Sequence, residues 1–151
     1  MQIVPGDFEN SDVCALLQAH VDDMIANSPP GHAYVLDSEG LKAPNISFWT
    51  LWDDDALIAC GAMKELDHET GEIKSMRTHQ NHLRKGAAAK LLRHIISVAK
   101  ERGYQRICLE TGRGPYYAAA INLYRTYGFE EAAAFGDYMA GDFNQFFQLE
   151  L

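Results

Sequence analysis

Three features of this chain have the residue types and spacing for chemistry: small residues flanked by cations, two separated glutamates, and a tyrosine. Arg84-Lys85-Gly86-Ala87-Ala88-Ala89 stands directly before Leu91, Leu92, Ile95, Ile96 and Ala99, which recur at helical spacing. A helix start has backbone N–H groups without intrahelical partners and a partial positive charge. Small side chains let an anion reach those groups, and Arg84 and Lys85 add full charges. The stretch is a phosphate site in outline, although an Ala-rich helix start packed on a neighbour has the same composition. Glu72 and Glu110 fall at the start of one strand-like segment and the end of another. Each could act as a general base, or be a solvated or ion-paired strand residue near Lys74 or Arg77. Tyr124 has a phenol that stays protonated at neutral pH. It could protonate a departing group or simply pack in a core. His79 and His82 form an HxxH pair, with His68 nearby. A metal wants a third ligand on a fixed scaffold, so this pair reads as polar loop and no metal is expected.

Charge placement favours the anion reading. The formal net charge is −8. Yet Ile73–Lys100 contains no acid and holds Lys74, Arg77, Arg84, Lys85, Lys90, Arg93 and Lys100. Met1–Leu41 inverts this, with Asp7, Glu9, Asp12, Asp22, Asp23, Asp37 and Glu39 and no Lys or Arg. A basic island in an acidic chain points to an anionic ligand at one place, and away from a nucleic-acid partner.

A chain of 151 residues, 47% hydrophobic and 23% charged, fits one soluble domain over 1–151 with one sizeable core. No apolar run approaches the ~20 residues that span a bilayer, so no membrane partner is expected. MQIVPGDFEN lacks the basic start and apolar core of a signal peptide. Cys14, Cys60 and Cys108 are widely spaced among apolar residues, which suggests buried thiols in a cytoplasmic protein.

The elements that must position these residues follow in order. Residues 2–4 suit a short strand. Ser11–Ala26 is an amphipathic helix capped by Asn10-Ser11-Asp12, with Val13, Leu16, Leu17, Val21, Met24 and Ile25 on its apolar face. Gly31–Asn45 is loop with one helical turn near Asp37–Leu41. Ile46–Trp52, Ala56–Leu66 and Gly71–Thr78 are strands of an antiparallel meander, the first carrying Phe48, Trp49 and Trp52, of which one face could line a cleft. A helix over Gly86–Arg102 leads to a strand over Arg106–Glu110, a crossover unit that makes two strands neighbours. A second helix over Tyr116–Tyr127, a strand over Phe129–Ala134, a loop over Phe135–Asn144 and a last strand over Gln145–Leu151 complete the chain.

This order, with LRKGAAAKLL opening one helix and Leu123-Tyr124-Arg125-Thr126-Tyr127-Gly128-Phe129 closing the next, resembles the GNAT superfamily of CoA-dependent N-acetyltransferases. In the family's [Q/R]-x-x-G-x-[G/A] loop, Gly86 and Ala88 fill the small positions, while Leu83 replaces Gln or Arg. Tyr117 stands where the family often has an Asn that touches the cofactor. The resemblance implies a mixed α/β, α+β-like fold with a mostly antiparallel sheet, splayed at the cofactor site and flanked by helices. It implies acetyl-CoA as acyl donor. The pantetheine would run along Met76, Arg77 and Thr78, with Met76 and Thr78 pairing through main-chain groups. The pyrophosphate would rest on main-chain N–H groups of Arg84, Lys85, Gly86, Ala87, Ala88 and Ala89. Tyr124 would be the proton donor to CoA thiolate and Glu72 the base; Glu110, at the end of the neighbouring strand, is a second candidate for the base. The expected reaction is direct transfer in a ternary complex to a small-molecule primary amine, by a monomer or homodimer. Acids on the elements expected around the acceptor favour a small cationic amine. A catalytically weak acyl-CoA-binding or sensing module, and a transferase for protein N-termini or lysines, are the alternatives.

Overall fold

Side chains alternate between the two faces of a strand, and the central strands are buried on both faces, so two cores result. In the computed structural model, which describes residues 1–151, the elements are β1 (Gln2–Pro5), α1 (Ser11–Ala26), α2 (Ser38–Leu41), β2 (Ile46–Asp53), β3 (Ala56–Glu65), β4 (Thr70–Thr78), α3 (Ala87–Glu101), β5 (Arg106–Gly112), α4 (Ala118–Thr126), β6 (Glu130–Ala132) and β7 (Asn144–Glu150). Single 3₁₀ turns at Gln80–His82 and Pro115–Tyr117 precede α3 and α4. One seven-stranded sheet runs β1-β2-β3-β4-β5-β7-β6. Only β4 and β5 pair in parallel; every other neighbouring pair is antiparallel. This is the mixed, mostly antiparallel fold expected from the sequence.

The larger core joins Trp49, Leu51, Met63, Ile73, Ile107 and Leu109 to Leu91, Leu92 and Ile95 of α3 and Tyr124 of α4. The smaller one, on the opposite sheet face, joins Phe48, Cys60 and Ala62 to Val13, Leu16 and Leu17 of α1 and Leu41 of α2. Phe48 and Trp49 therefore face two different cores, Trp52 packs at the edge of the smaller one, and none of them lines a cleft. The side chain of Asn10 caps α1, accepting from Asp12 N at 2.9 Å and Val13 N at 3.2 Å.

Several expectations change. The buried stripe of α1 runs Val13, Leu16, Leu17 and His20, whereas Ile25 is 60% exposed. Those four recur at i, i+3, i+4 and i+7, so a histidine takes a position that the apolar pattern would give to its neighbours. Cys14 is exposed, not buried, because it lies off that stripe; only Cys60 and Cys108 are buried. The segment after Pro115 is a 3₁₀ turn before α4 begins at Ala118, since Gly114 at φ 112 redirects the chain there. β6 is only three residues long. No helix is long and apolar enough to cross a membrane.

Candidate functional site

The pairing of β4 with β5 stops early. Thr70, Gly71 and Glu72 face Arg106, Ile107 and Cys108; beyond Glu72 the two strands have no register. A bulge in β4 accompanies the separation. Cys60 of β3 faces Arg77 and Ala62 faces Lys74, so Gly61 alone opposes both Ser75 and Met76, and Ser75 takes φ 55. A Cβ on Gly61 would fall 2.5 Å from Met76 Sδ, so only glycine lets that side chain cross the strand. The fork opens a cleft of about 920 Å³ between α1, β4, β5, α3 and α4.

One end of the cleft is the start of α3. Leu83, Arg84, Gly86, Ala87, Ala88 and Ala89 line it. Gly86 is the N-cap at φ 80 with no side-chain cap, and the space where its Cβ would lie is empty to 4 Å. The first-turn N–H groups are thus uncapped and approachable, as an oxyanion requires. Arg84 holds φ 61, a left-handed conformation rare outside glycine, in the turn that aims these groups. Lys85 does not line the cleft; its Nζ lies 3.3 Å from His82 Nδ1.

The middle of the cleft holds the carboxylates. Glu72, Lys74 and Arg77 share the α1 face of β4, and Glu110 extends from β5 into the same space. The two glutamates differ in state. Glu72 is buried and engaged through one oxygen: Tyr138 O–H donates to its Oε2 at 2.5 Å, and Lys74 Nζ stands 3.3 Å from the same atom. Lys74 also donates to the Tyr138 hydroxyl at 2.8 Å, closing a triangle. Tyr138 lies on the segment between β6 and β7, which Asn144 fixes by accepting from Gly141 N and donating to Met139 O. Glu110 is half-buried. Burial is the main cause that pushes its pKa up to about 7; the charge of Glu72 adds to it and Lys74 opposes it.

Tyr124 reaches the cleft from α4 with its ring against Phe129 at 5.5 Å. Burial alone raises its phenol pKa, with no charge or hydrogen bond contributing, so it is a protonated donor at neutral pH. Cys108 sits beside Glu72 at the fork but does not line the cleft. Burial chiefly, with Glu72, pushes its thiol up to about 12, which leaves no thiolate at neutral pH.

Met76 and Thr78 lie along the unpaired edge of β4, where an amide-bearing chain could add hydrogen bonds. The side chain of Arg77 is turned elsewhere. It donates to Asp23 of α1 at 2.5 Å and to the Tyr116 hydroxyl at 3.2 Å, across the cleft and away from the start of α3. Tyr117 is buried, and its hydroxyl meets Ser28 Oγ at 3.1 Å and donates to Asn27 O at 3.2 Å. It holds the turn before α4 to the end of α1. Asn122 is exposed at the cleft rim. Sequence reasoning missed Tyr138, whose only signal was an aromatic in a Gly- and Asp-containing loop. It also left His20 without a role.

Comparisons with known proteins bear on the family and the fold. The acetyltransferase (GNAT) family model matches residues 13–129. The uncharacterized N-acetyltransferase YsnE of Bacillus subtilis (strain 168) is 45% identical over 138 residues, 91% of each chain. The uncharacterized N-acetyltransferase YedL of Escherichia coli (strain K12) is 39% identical over 149 residues, 99% of this chain and 94% of its own. Among solved structures, a GNAT family acetyltransferase from Elizabethkingia anophelis with acetyl-CoA bound superposes at TM-score 0.69 and 17% identity, over 99% of this chain and 97% of the other. A Bacillus subtilis acetyltransferase in complex with CoA superposes at TM-score 0.74 and 20% identity, over 99% and 98%. At such identities these two structures speak to the fold alone.

Proposed function

The chain belongs to the GNAT acetyltransferase family, and from that premise we propose that it moves acetyl from acetyl-CoA to a small primary amine by direct attack in a ternary complex. The observation that carries this reading is the fork itself. It places an uncapped helix start, a carboxyl with a pKa of about 7 and a protonated phenol around one cleft. The N–H groups of Gly86–Ala89 and the charge of Arg84 hold the pyrophosphate. The unpaired edge at Met76 and Thr78 holds the pantetheine. Acetyl-CoA supplies the activated acyl carbon.

Glu110 is the base in this reading. Its pKa lets it take a proton from an ammonium and release it again near neutral pH. Glu72 is held by Tyr138 and Lys74, so it acts by its charge, which adds to the burial that raises the pKa of Glu110. The amine nitrogen forms the new bond to the acyl carbon, and the carbon–sulfur bond breaks. Tyr124 protonates the departing thiolate. An ammonium sheds two protons on its way to the amide. One makes good the proton given by Tyr124, and the other leaves through Glu110 to solvent.

Cationic amines are favoured on approach. Asp12, Asp22, Asp37, Glu39, Asp137 and Asp142 lie on α1, on the chain that follows it and on the segment before β7, all of which contribute to the cleft, but do not themselves line it; Glu39 is paired with Lys42, and Asp23, which does line it, with Arg77. Their field acts over a Debye length of about 8 Å, on encounter rather than on the bound state. The test is thiol release from acetyl-CoA across a panel of amines. Turnover with a small amine supports the proposal. Tight CoA binding without turnover on any amine replaces it with a sensing module, and turnover on peptide N-termini or lysines alone removes the small-molecule acceptor.

A further inference from the structure

The α1 wall of the cleft carries polar groups that the transfer chemistry does not use. His20 is only 6% exposed and lines the cleft, yet its Nδ1 has no partner. Burial first, and Arg77 second, pull its pKa down to about 4, so the ring is neutral near pH 7. Arg77 uses one Nη on Asp23 and the other on Tyr116, which leaves its buried Nε–H without a partner. Unpartnered buried polar atoms are rare in folded proteins, and these two, one on α1 and one on β4, belong to side chains that line the same cleft and mark a place for a ligand atom. An arginine N–H is satisfied by an oxygen. A neutral imidazole with its proton on Nδ1 can donate to the same oxygen, which has two lone pairs.

The same cleft also carries a group of aromatic side chains. Tyr116 meets Tyr117 at 5.0 Å, Tyr117 meets Phe143 at 5.8 Å, and Phe143 meets His32 at 6.4 Å. Tyr34 meets Tyr138 at 5.3 Å, edge to face. Such walls fit a flat apolar body, because ring edges and faces complement one another. They come from three irregular segments, 27–37, 113–117 and 133–143, that converge over the same cleft.

Resting on the acetyltransferase reading, we propose that the acceptor is an aromatic α-aminoacyl compound, its ring among these side chains, its carbonyl oxygen on Arg77 Nε–H and His20, and its α-amine facing Glu110. A free aromatic amino acid and the N-terminal residue of a peptide share this chemistry. The bonds made and broken are those already given, and the carbonyl of the acceptor takes no part in them. Arg77 and His20 select and orient; they do not touch the transferred acetyl group.

The experiment compares L-phenylalaninamide, L-phenylalanine, phenethylamine and L-alaninamide, with kcat/KM corrected for the free-amine fraction of each. Phenethylamine lacks the carbonyl and alaninamide lacks the ring. One or both of the phenylalanine compounds exceeds each of the other two at least tenfold. Preference for the amide assigns the site to chain N-termini, and preference for the acid to free amino acids. Arg77→Lys keeps a cation opposite Asp23 but removes Nε–H, and it lowers the preference over phenethylamine about tenfold. Equal efficiency with phenethylamine, or an unchanged preference in Arg77→Lys, overturns the proposal while leaving the acetyltransferase reading intact. If no amine is acetylated, that reading fails. Calorimetry on the CoA-loaded protein then reads the subsite directly: tenfold tighter binding of the phenylalanine compounds than of phenethylamine supports it, and equal binding overturns it.

Discussion

Glu110→Gln should damage activity and strengthen the fold, and the two effects should share one pH dependence. A carboxyl with a pKa of about 7 in the fold, against an ordinary value of 4.5, binds its proton more tightly folded than unfolded. Between those values the folded protein therefore holds more protons. The associated destabilisation is absent below about pH 4.5, grows as pH rises to about 7, and is constant above. Taken whole, the difference amounts to about 3 kcal/mol at 1.36 kcal/mol per pKa unit. Glu110 is only half-buried, so solvent screening reduces this to on the order of 2 kcal/mol. Glutamine has nearly the same shape and no charge to desolvate. Urea unfolding of both proteins should show no difference at pH 4 and about 2 kcal/mol in favour of Glu110→Gln at pH 8. Loss of the base should lower kcat/KM by roughly 10²–10⁴. The wild-type profile should rise with unit slope to about pH 7, and the variant should lose that limb. A variant that keeps its activity, or that gains the same stability at both pH values, refutes the assignment.

The remaining predictions concern the two ends of the cleft and the triangle between them. Ala88→Glu should abolish CoA binding by calorimetry with thermal stability nearly unchanged; it is a better probe than Gly86→Glu, because Gly86 at φ 80 cannot take a side chain without about 1–2 kcal/mol of strain. Tyr124→Phe should lower kcat by about ten- to a thousandfold with CoA affinity retained, and wild-type kcat with chemistry rate-limiting would make the residue a packing group. Tyr138→Phe removes one hydrogen bond from Glu72 and one acceptor from Lys74, and should shift the acid limb of the pH–rate profile while leaving CoA affinity unchanged. An unmoved limb would disconnect the Glu72 triangle from Glu110.

How much was legible in the sequence varied with how local the cause was. The order of elements, both long helices and the meander followed from caps, turns and periodicity, since Asn10 and Gly103 act within a turn of themselves. The helix start at Gly86–Ala89 was legible for the same reason. The state of each glutamate was not. Glu72 and Glu110 both sit on strands beside the fork, and what distinguishes them, a tyrosine arriving from 66 residues away together with Lys74 at Glu72, against burial at Glu110, is tertiary. The aromatic compartment was likewise hidden: Phe48, Trp49 and Trp52 looked suited to a cleft, but helices cover both faces of β2. Irregular segments supplied the rings instead, and irregular segments leave no periodicity to read.

The bulge in β4 shows why the acceptor wall in particular resisted prediction. Strict alternation from Glu72 and Lys74 would place Met76 on the same face, beside α1, and turn Arg77 toward α3. Two residues opposite Gly61 reverse that alternation. Met76 instead packs against the larger core near Ile95, and Arg77 faces Asp23 and His20. A bulge also bends its strand, and here it lies just past the last residue that pairs with β5. One extra residue thus accompanies the opening of the fork and decides the chemistry of its wall, giving it a guanidinium with a spare N–H in place of a thioether. The residue that does so, Ser75, has the side chain of an ordinary strand position; its φ of 55 is visible only in three dimensions.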